Sequence, residues 1–448
     1  MIQNKLSRRL STGVALMLCA GMVTIGSSVV ASAAPQKTPG VTAKLITIGA
    51  TEPVTGIASP GYSDVSRGAN AVFKYINTKG GVNGRKIKYI IKDDCYGTPG
   101  FGCTGNPNTV ADTRALISAG VFATVGSLGT APQDSVRTLM KANHVPQLFI
   151  SSGSRDWNNP GQYPGLFGWQ TTYNEEGKIF AKYINATYPK ENVCWLGQGD
   201  DFGSDGLAGL LAGGVTPVDT ALYSVASLVQ QGAAAVAPYV ARFQKENCTV
   251  VVLDTIPGAT DAVFASALPL GYTPHWIISS VGADPVTVDA PFAKYPFPDP
   301  EIGAVSFSFL PASTATNAWN GWMRKVLLAD KVDFPSFTST TPITGNMAYG
   351  AAWAVSFLEA LKATGKDVTR ASFLKKLTST TFSQTPALTA LRYTSKNHQG
   401  LSGGYLVKVT SASATAAVDG QVYKTDSSTS GPIVKVKAVA PVIPAWLK

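Results

Sequence analysis

Three short segments rich in glycine and hydroxyl side chains are the part of this sequence best suited to hold a small polar ligand. They are residues 51–56 (Thr-Glu-Pro-Val-Thr-Gly), 126–130 (Gly-Ser-Leu-Gly-Thr) and 151–154 (Ser-Ser-Gly-Ser). Each follows a predicted strand, and in open α/β sheets ligands bind beyond the carboxyl ends of the strands. One such loop could be a simple turn, but three in the same series favour a binding cleft.

The segment 126–130 is the strongest candidate because a helix is predicted directly after it, from Pro132. The first N–H groups of a helix lack an intrahelical partner and attract negative charge. Together with the Thr130 hydroxyl they would suit a carboxylate, and the small residues Ser127 and Gly129 would let it approach the backbone. We therefore predict that the polar head of the ligand is held near Thr130.

No segment carries the residue pattern of a familiar catalytic centre. The sequence has no G-x-S-x-G, H-E-x-x-H, Walker or G-x-G-x-x-G motif. The pairs Asp93-Asp94 and Asp200-Asp201 could act as acid and base or bind a metal, but each follows a strand, where a carboxylate commonly caps the next segment. We interpret both pairs as caps, and we expect no enzymatic activity, no cofactor and no metal site.

Four cysteines follow the first 33 residues: Cys95, Cys103, Cys194 and Cys248. An even number in an exported chain favours disulfides over a metal site. Of the three possible pairings, local geometry favours Cys95 with Cys103, which would close a glycine-rich loop, and Cys194 with Cys248. The second bond would join the beginnings of two apolar strands.

The first 33 residues have the three parts of a secretory signal: a basic start, an apolar run at 14–25 and Ala-Ser-Ala at 31–33. The apolar run falls short of the roughly 20 residues that a membrane span needs. Leu18 is larger than the residue that normally precedes a lipidated cysteine, which disfavours lipidation of Cys19. We expect cleavage near Ala33 and an extracytoplasmic protein.

The composition is that of a large folded protein. Of the 448 residues, 45% are hydrophobic and 14% are charged, whereas disordered chains combine low hydrophobicity with high charge. The formal net charge is +10, but the basic residues are scattered and form no long run. This distribution is not typical of a nucleic-acid-binding surface, so we expect no nucleic-acid partner.

Predicted strands and helices alternate from residue 45 onward, a pattern that favours α/β layers with mostly parallel sheets. The first series predicts strands at 45–49, 87–91, 121–125 and 147–150, with helices from Asp64 and at 109–119 and 132–142. The second predicts helices at 173–187, 204–211, 233–246 and 261–268, and strands at 193–196, 249–253, 276–279 and 303–310. Helices at 316–329, 347–364 and 370–377 follow, then a β-rich tail in which 411–417 and 425–430 are expected to be solvated loops.

Several motifs in fixed order resemble the type I solute-binding proteins of ABC importers, in particular the branched-chain amino acid (Leu/Ile/Val) group. The matching strings include 48–56, which ends in Pro-Val-Thr-Gly, and 76–87, which contains Gly-Gly-Val-Asn-Gly-Arg-Lys. The segments 126–130, 145–149 and 200–203 follow in the same order. The resemblance covers most of residues 45–400.

The resemblance implies two doubly wound α/β lobes joined by three crossings, which close on a small solute and deliver it to a membrane permease. The crossings would fall near 169–173, 306–310 and 382–391. The first lobe would then comprise 41–170 and about 308–382, and the second 171–307 and about 383–448. We expect a monomer. A ligand-sensing receptor is the alternative, followed by an exported enzyme on a similar fold.

The same resemblance assigns ligand contacts from both lobes. The expected ligand-binding residues are Ser127, Leu128, Gly129, Thr130, Ser152, Gly153, Ser154, Tyr173, Phe202 and Thr255. The sequence departs from the family pattern at two positions that concern the ligand. Arg155 stands where a ligand-binding Thr is typical. No acidic residue clearly matches the one that pairs with the ammonium group of an amino acid, because the only candidate, Asp284, is slightly displaced. Because an unpaired buried charge costs several kcal/mol, both an amino acid and a carboxylate without an amine stay open.

Overall fold

The computed structural model describes residues 38–100, 102–292 and 299–448. The predicted secretory signal and its cleavage site lie outside the described residues. Within them the chain forms two large sheets and two small two-stranded sheets.

The first large sheet has five parallel strands in the order β2-β1-β3-β4-β5. Its strands and connecting helices are β1 (Leu45–Glu52), α1 (Ser59–Thr78), β2 (Lys86–Asp93), α2 (Thr109–Ser118), β3 (Thr124–Val125), α3 (Thr130–Ala142), β4 (Gln147–Ile150) and β5 (Leu166–Gly168). Ile46, Ile48 and Ala50 of β1 are buried, as expected for a parallel sheet with helices on both faces.

The second large sheet has seven strands in the order β14-β13-β10-β9-β8-β6-β7. Helix α4 (Tyr173–Thr187) precedes it. Its first strands and their connecting helices are, in chain order, β6 (Val193–Gln198), α5 (Asp201–Ala212), β7 (Asp219–Tyr223), α6 (Val225–Gln231), α7 (Ala237–Lys245), β8 (Val250–Asp254), α8 (Pro257–Ala267), β9 (His275–Ile278), α9 (Pro285–Val288) and β10 (Val305–Ser308). All five residues of the central strand β8 are buried, which explains why its first four residues are apolar.

After β10 the chain returns to the first sheet and then crosses back. The remaining elements are α10 (Ala318–Ala329), α11 (Gly345–Thr364), α12 (Arg370–Ser379), β11 (Thr381–Phe382), β12 (Leu391–Arg392), β13 (Tyr405–Ser411), β14 (Ala414–Ala417), β15 (Val422–Lys424) and β16 (Val434–Val436). Helix α11 packs directly on α1, and a Cβ at Gly350 would overlap the carbonyl of Val65. The first lobe is therefore built from two distant parts of the sequence.

Here the first lobe means the five-stranded sheet with α1–α3 and α10–α12, and the second lobe means the seven-stranded sheet with α4–α9. This arrangement confirms the predicted α/β fold class. The segment after β12 still contacts the first sheet, because the Tyr393 hydroxyl donates to the Gly168 carbonyl at 2.6 Å. Leu401 N–H likewise donates to the Trp169 carbonyl at 2.8 Å. The chain joins the second sheet only at Tyr405, the first residue of β13.

Three local predictions differ from the structure. The helix predicted at 233–246 is divided into a 3-10 turn, Gly232–Ala235, and α7, because Pro238 lacks an N–H and fits only the first turn of a helix. The loop predicted at 411–417 contains β14, which pairs antiparallel with β13. Its Ala-Thr-Ala-Ala sequence shows no apolar alternation because this edge strand is largely exposed. The strands β5, β7, β11, β12 and β15 and the helices α6 and α9 were not predicted.

Both predicted disulfides are confirmed. Cys95 and Cys103 are bonded with their Cα atoms 5.9 Å apart, and Cys194 and Cys248 with theirs 5.7 Å apart. The first bond closes a loop that lies against segment 51–56, where Gly56 N–H donates to the Gly102 carbonyl at 2.9 Å. The second joins β6 to Cys248, two residues before β8, which is the neighbour of β6 in the sheet.

Candidate ligand-binding cleft

A cavity of about 60 Å³ lies between the two lobes, near the carboxyl ends of β3, β4 and β9. It is lined by Tyr62, Val65, Tyr96, Leu128, Gly129, Ser151, Gln170, Tyr173, Ser280, Val281, Phe309, Asn346 and Tyr349. Ser280 and Val281 belong to the second lobe, and Gln170 and Phe309 lie on chain crossings. No charged side chain is among these lining residues.

Four tyrosines dominate the wall and are held by hydrogen bonds or ring contacts. The Tyr349 hydroxyl donates to the Gln170 side-chain carbonyl at 2.7 Å, and the Tyr62 hydroxyl reaches the Val281 carbonyl at 3.5 Å. The Tyr62 and Tyr96 rings lie 6.1 Å apart between centroids. Burial raises the pKa of Tyr173 to about 12, so this hydroxyl stays protonated at physiological pH and can donate a hydrogen bond.

The hydroxyl cluster predicted around Thr130 forms a connected group at the edge of this cavity. Thr130 Oγ1 and Ser152 Oγ lie 2.7 Å apart, and the Tyr173 hydroxyl donates to Ser152 Oγ at 3.5 Å. Both small side chains are buried. Helix α3 begins at Thr130 itself, after Gly129 adopts a φ of +105°, a conformation that a residue with a Cβ rarely accepts. The first N–H groups of α3 therefore lie beside the hydroxyl cluster.

The other predicted contacts are placed as follows. Leu128, Gly129 and Tyr173 line the cavity. The other five do not line it. Ser127 accepts from Thr51 N–H at 3.1 Å, the Gly153 carbonyl accepts from Tyr173 N–H at 2.9 Å, and Ser154 caps a 3-10 turn by accepting from Asp156 N–H at 3.1 Å. The Phe202 ring lies 4.4 Å from that of Tyr173, and the hydroxyl groups of Thr255 and Thr260 lie 2.7 Å apart.

The second-lobe wall has a buried carboxyl group behind it. Ser280 donates to Glu176 through its backbone N–H at 2.6 Å and through its hydroxyl at 2.8 Å. Burial raises the pKa of Glu176 to about 8, although the hydrogen bonds from Ser280 oppose the shift. The carboxyl group is therefore largely protonated at neutral pH and supplies little negative charge to the cleft.

Asp284, the displaced candidate for an ammonium partner, lies beside a neighbouring cavity of about 140 Å³. Its carboxylate accepts from Gly345 N–H at 3.1 Å and from the Thr287 hydroxyl at 2.8 Å. The two cavities share Ser280 and Tyr349 among their lining residues. Asp284 thus already connects α9 of the second lobe to the start of α11 in the first.

The comparison with known proteins decides the family. Residues 45–415 match the family described as periplasmic binding protein. The chain belongs to this family. Members of the family are extracytoplasmic solute-binding proteins that work with ABC transporter permeases, and they are not enzymes. In the described part of this periplasmic binding protein, every helix is too short or too polar to cross a membrane.

Solved structures share the fold of this periplasmic binding protein at low sequence identity. A fatty acid ABC transporter substrate-binding protein from Thermomonospora curvata is 16% identical, with a TM-score of 0.71 over 88% of this chain and 95% of that one. A branched chain amino acid ABC transporter from Thermus thermophilus with bound valine is 14% identical, with a TM-score of 0.67 over 91% and 98%. A solute binding protein from Rhodopseudomonas palustris BisB5 in complex with 3,4-dihydroxy benzoic acid is 18% identical, with a TM-score of 0.64 over 90% and 98%. No curated protein matches the chain.

An ion pair connects the two lobes beside the cleft. Arg155, in the 3-10 turn after β4, donates from Nε to Asp205 Oδ1 of α5 at 2.7 Å, and its backbone N–H donates to Oδ2 at 2.8 Å. Asp205 is nearly buried, and this burial raises the pKa of its carboxyl group even though Arg155 acts in the opposite direction. The residue that departs from the expected Thr thus serves as a contact between the lobes.

Sequence reasoning missed most of the aromatic wall. Tyr62 and Tyr349 lie on α1 and α11, which the sequence separates by more than half of the chain. Tyr96 lies two residues after Asp94, which the sequence predicted to be a cap. Tyr96 N–H donates to Asp94 Oδ1 at 3.1 Å, so a local signal was present for this tyrosine. Nothing local marks the other two as cleft residues.

Proposed function

We propose that this protein captures a small molecule with an aromatic or other apolar body and no ammonium group, and delivers it to an ABC permease. It would do so outside the cytoplasm, after cleavage near Ala33. The observation that carries the proposal is the cavity between the lobes, whose wall contains four tyrosines and Phe309 and no charged side chain.

Electrostatics disfavours a ligand that carries an ammonium group. A buried ammonium needs a carboxylate partner to offset its desolvation. Glu176 does not line the cavity and already accepts two hydrogen bonds from Ser280, and Asp284 is already bonded to Gly345 and Thr287. A polar head that is neutral or negative suits the cleft better, since Thr130, Ser152 and the first N–H groups of α3 offer hydrogen-bond donors.

The size of the cavity implies a lobe movement. About 60 Å³ is far below the roughly 300–1,000 Å³ typical of ligand pockets. A ligand would enter when the lobes separate and would be enclosed when they approach again, which is a hinge closure. Small-angle X-ray scattering should show a different radius of gyration with and without saturating ligand.

The test compares two molecules that differ only in the amine. Phenylalanine and 3-phenylpropanoate share an aromatic ring and a carboxylate, so calorimetric titration of each isolates the ammonium group. We expect 3-phenylpropanoate to bind and phenylalanine to bind more weakly or not at all. A thermal-shift panel of aromatic acids, aliphatic acids and amino acids then shows which apolar group the cleft prefers. A ligand at a hundredfold excess over Kd adds about 2.7 kcal/mol to the stability of the folded protein.

Preference for phenylalanine, or for leucine or valine, would show that the cleft does neutralise an ammonium and would contradict this proposal. Tyr173→Phe supplies the matched variant, because it keeps the ring and removes only the hydroxyl that bonds Ser152. Delivery to a permease is tested separately, by uptake of the labelled ligand into cells with and without the protein.

A further inference from the structure

We propose that a second pocket, on the first lobe and apart from the cleft, binds an amphipathic anion: a carboxylate attached to an apolar chain. The pocket has a volume of about 650 Å³ and lies where β4 and β5 begin, between α3 and α12. No residue lines both this pocket and the cleft cavity. Strand β4 separates the two, and its four residues span about 10 Å.

The floor of the pocket is apolar. It includes Met140, Val145, Tyr163, Leu166 and Leu374. The first four of these residues are buried members of the first lobe's core, and Leu374 is partly exposed, so the pocket is floored by the edge of that core. Its volume lies within the roughly 300–1,000 Å³ that small-molecule sites occupy.

Three cations line the same pocket, and they differ in their partners. Arg137 is neutralised by Asp134 at 3.0 Å and by Asp156 at 2.7 Å. Arg370 instead donates to the backbone carbonyls of Phe122 at 2.8 Å and His144 at 3.0 Å. Carbonyl groups orient a guanidinium but do not cancel its charge.

Arg370 and Lys141 therefore keep uncompensated positive charge at the pocket. Neither has a carboxylate within ion-pair distance among residues 38–100, 102–292 and 299–448. Desolvation by burial lowers the pKa of Arg370. An anion placed beside these two side chains would supply it.

The combination selects the ligand class. An inorganic anion would leave the apolar floor unused, and a neutral hydrocarbon would leave the two cations unpaired. A molecule with an anionic head and an apolar chain satisfies both. Decanoate is the simplest probe with these properties, and decanol and decyltrimethylammonium are its neutral and cationic counterparts.

The experiment titrates the purified, full-length mature protein with each probe by calorimetry. Lys141→Glu reverses one of the two free charges, and Leu374→Glu places a carboxylate in the floor. Lys375→Glu is the matched control, because Lys375 is exposed on α12 next to Leu374 but does not line the pocket. Lys141→Glu and Lys375→Glu change the net charge of the protein by the same amount.

We expect decanoate to bind the wild type and Lys375→Glu with equal affinity, within about twofold. Lys141→Glu and Leu374→Glu should each weaken binding roughly tenfold or more, with unchanged circular dichroism in the absence of probe. Decanol and decyltrimethylammonium should bind the wild type at least about tenfold more weakly than decanoate.

Two results would overturn the proposal. Equal binding of decanoate to all three variants would mean that it does not occupy this pocket, and equal binding of decanol would mean that the cations do not select the head group. Decanoate also falls within the ligand class proposed for the cleft, but the variants lie outside the cleft cavity, so binding in the cleft would be the same in wild type, Lys141→Glu and Leu374→Glu. Failure of this proposal is therefore distinguishable from failure of the proposed function.

Discussion

The ion pair between Arg155 and Asp205 should help to hold the two lobes together, and Arg155→Ala tests this directly. The Arg155 side chain is 40% exposed and that of Asp205 is 7% exposed. Exposed pairs contribute about 0.2–1 kcal/mol, whereas breaking a buried pair costs about 3–5 kcal/mol. The alanine variant keeps the backbone N–H that also bonds Asp205. We therefore expect a loss of about 1–2 kcal/mol in the free energy of closure, or roughly 5- to 30-fold in the closed-to-open ratio.

The assay is the Kd of the ligand identified for the cleft, measured by calorimetry at constant salt. If the open form predominates without ligand, Kd rises by the same factor by which the closed population falls. Arg155→Lys keeps the charge but loses the planar fork, so its Kd should lie between those of wild type and Arg155→Ala. A double-mutant cycle with Asp205→Ala isolates the pairwise energy. Equal Kd values for wild type and Arg155→Ala, with an unchanged radius of gyration, would refute the reasoning.

Three further predictions concern the cleft and the stability of the fold. Thr130→Val should weaken binding of an anionic ligand by about 1–3 kcal/mol by calorimetry; an unchanged Kd would mean that the head group lies elsewhere. Because burial raises the pKa of Glu176 from 4.5 to about 8, its folded form holds a proton longer than its unfolded form. The contribution of Glu176 to stability is present below the unfolded pKa and is lost as pH rises through about 8. Urea denaturation should therefore show a shallower fall in stability between about pH 4.5 and 8 for Glu176→Gln than for the wild type. Finally, the two disulfides close loops with sequence separations of 54 and 8 residues, so replacing Cys194 and Cys248 by alanine should cost about 4 kcal/mol, against about 2.5 kcal/mol for the other pair; equal losses would contradict the loop-entropy reasoning.

The fold was accessible from the sequence because its signals are local. Strand β8 begins with four consecutive apolar residues, and α3 follows a glycine-rich segment at the end of β3, so both could be predicted without any knowledge of neighbours. Strands β7 and β14 were missed or taken for loops because they lie at the edges of the second sheet. An edge strand exposes one side to solvent, and its sequence therefore loses the apolar pattern that identifies a strand.

The residues of the candidate cleft likewise fall into two groups, those that the sequence predicted and those that it did not. Leu128 and Gly129 lie in the short segment after β3, and the rule that ligands bind beyond strand ends was sufficient to single them out. Tyr62 and Tyr349 meet only because α11 packs on α1, and no periodicity within either helix encodes that contact. The aromatic character of the wall, and with it the inference about the ligand, required the three-dimensional structure.

The disulfide between Cys95 and Cys103 makes ligand binding in the cleft depend on the redox conditions in which the protein folds. Tyr96, a wall residue, follows Cys95 directly, and both have positive φ angles, 50° and 58°, in the left-handed region that non-glycine residues rarely adopt. A crosslink that closes this turn helps to keep the tyrosine ring facing the ligand. Protein made in a reducing cytoplasm would lack that crosslink, so a recombinant preparation could be soluble and folded yet bind poorly. Full binding competence would then be acquired only after export into an oxidising environment.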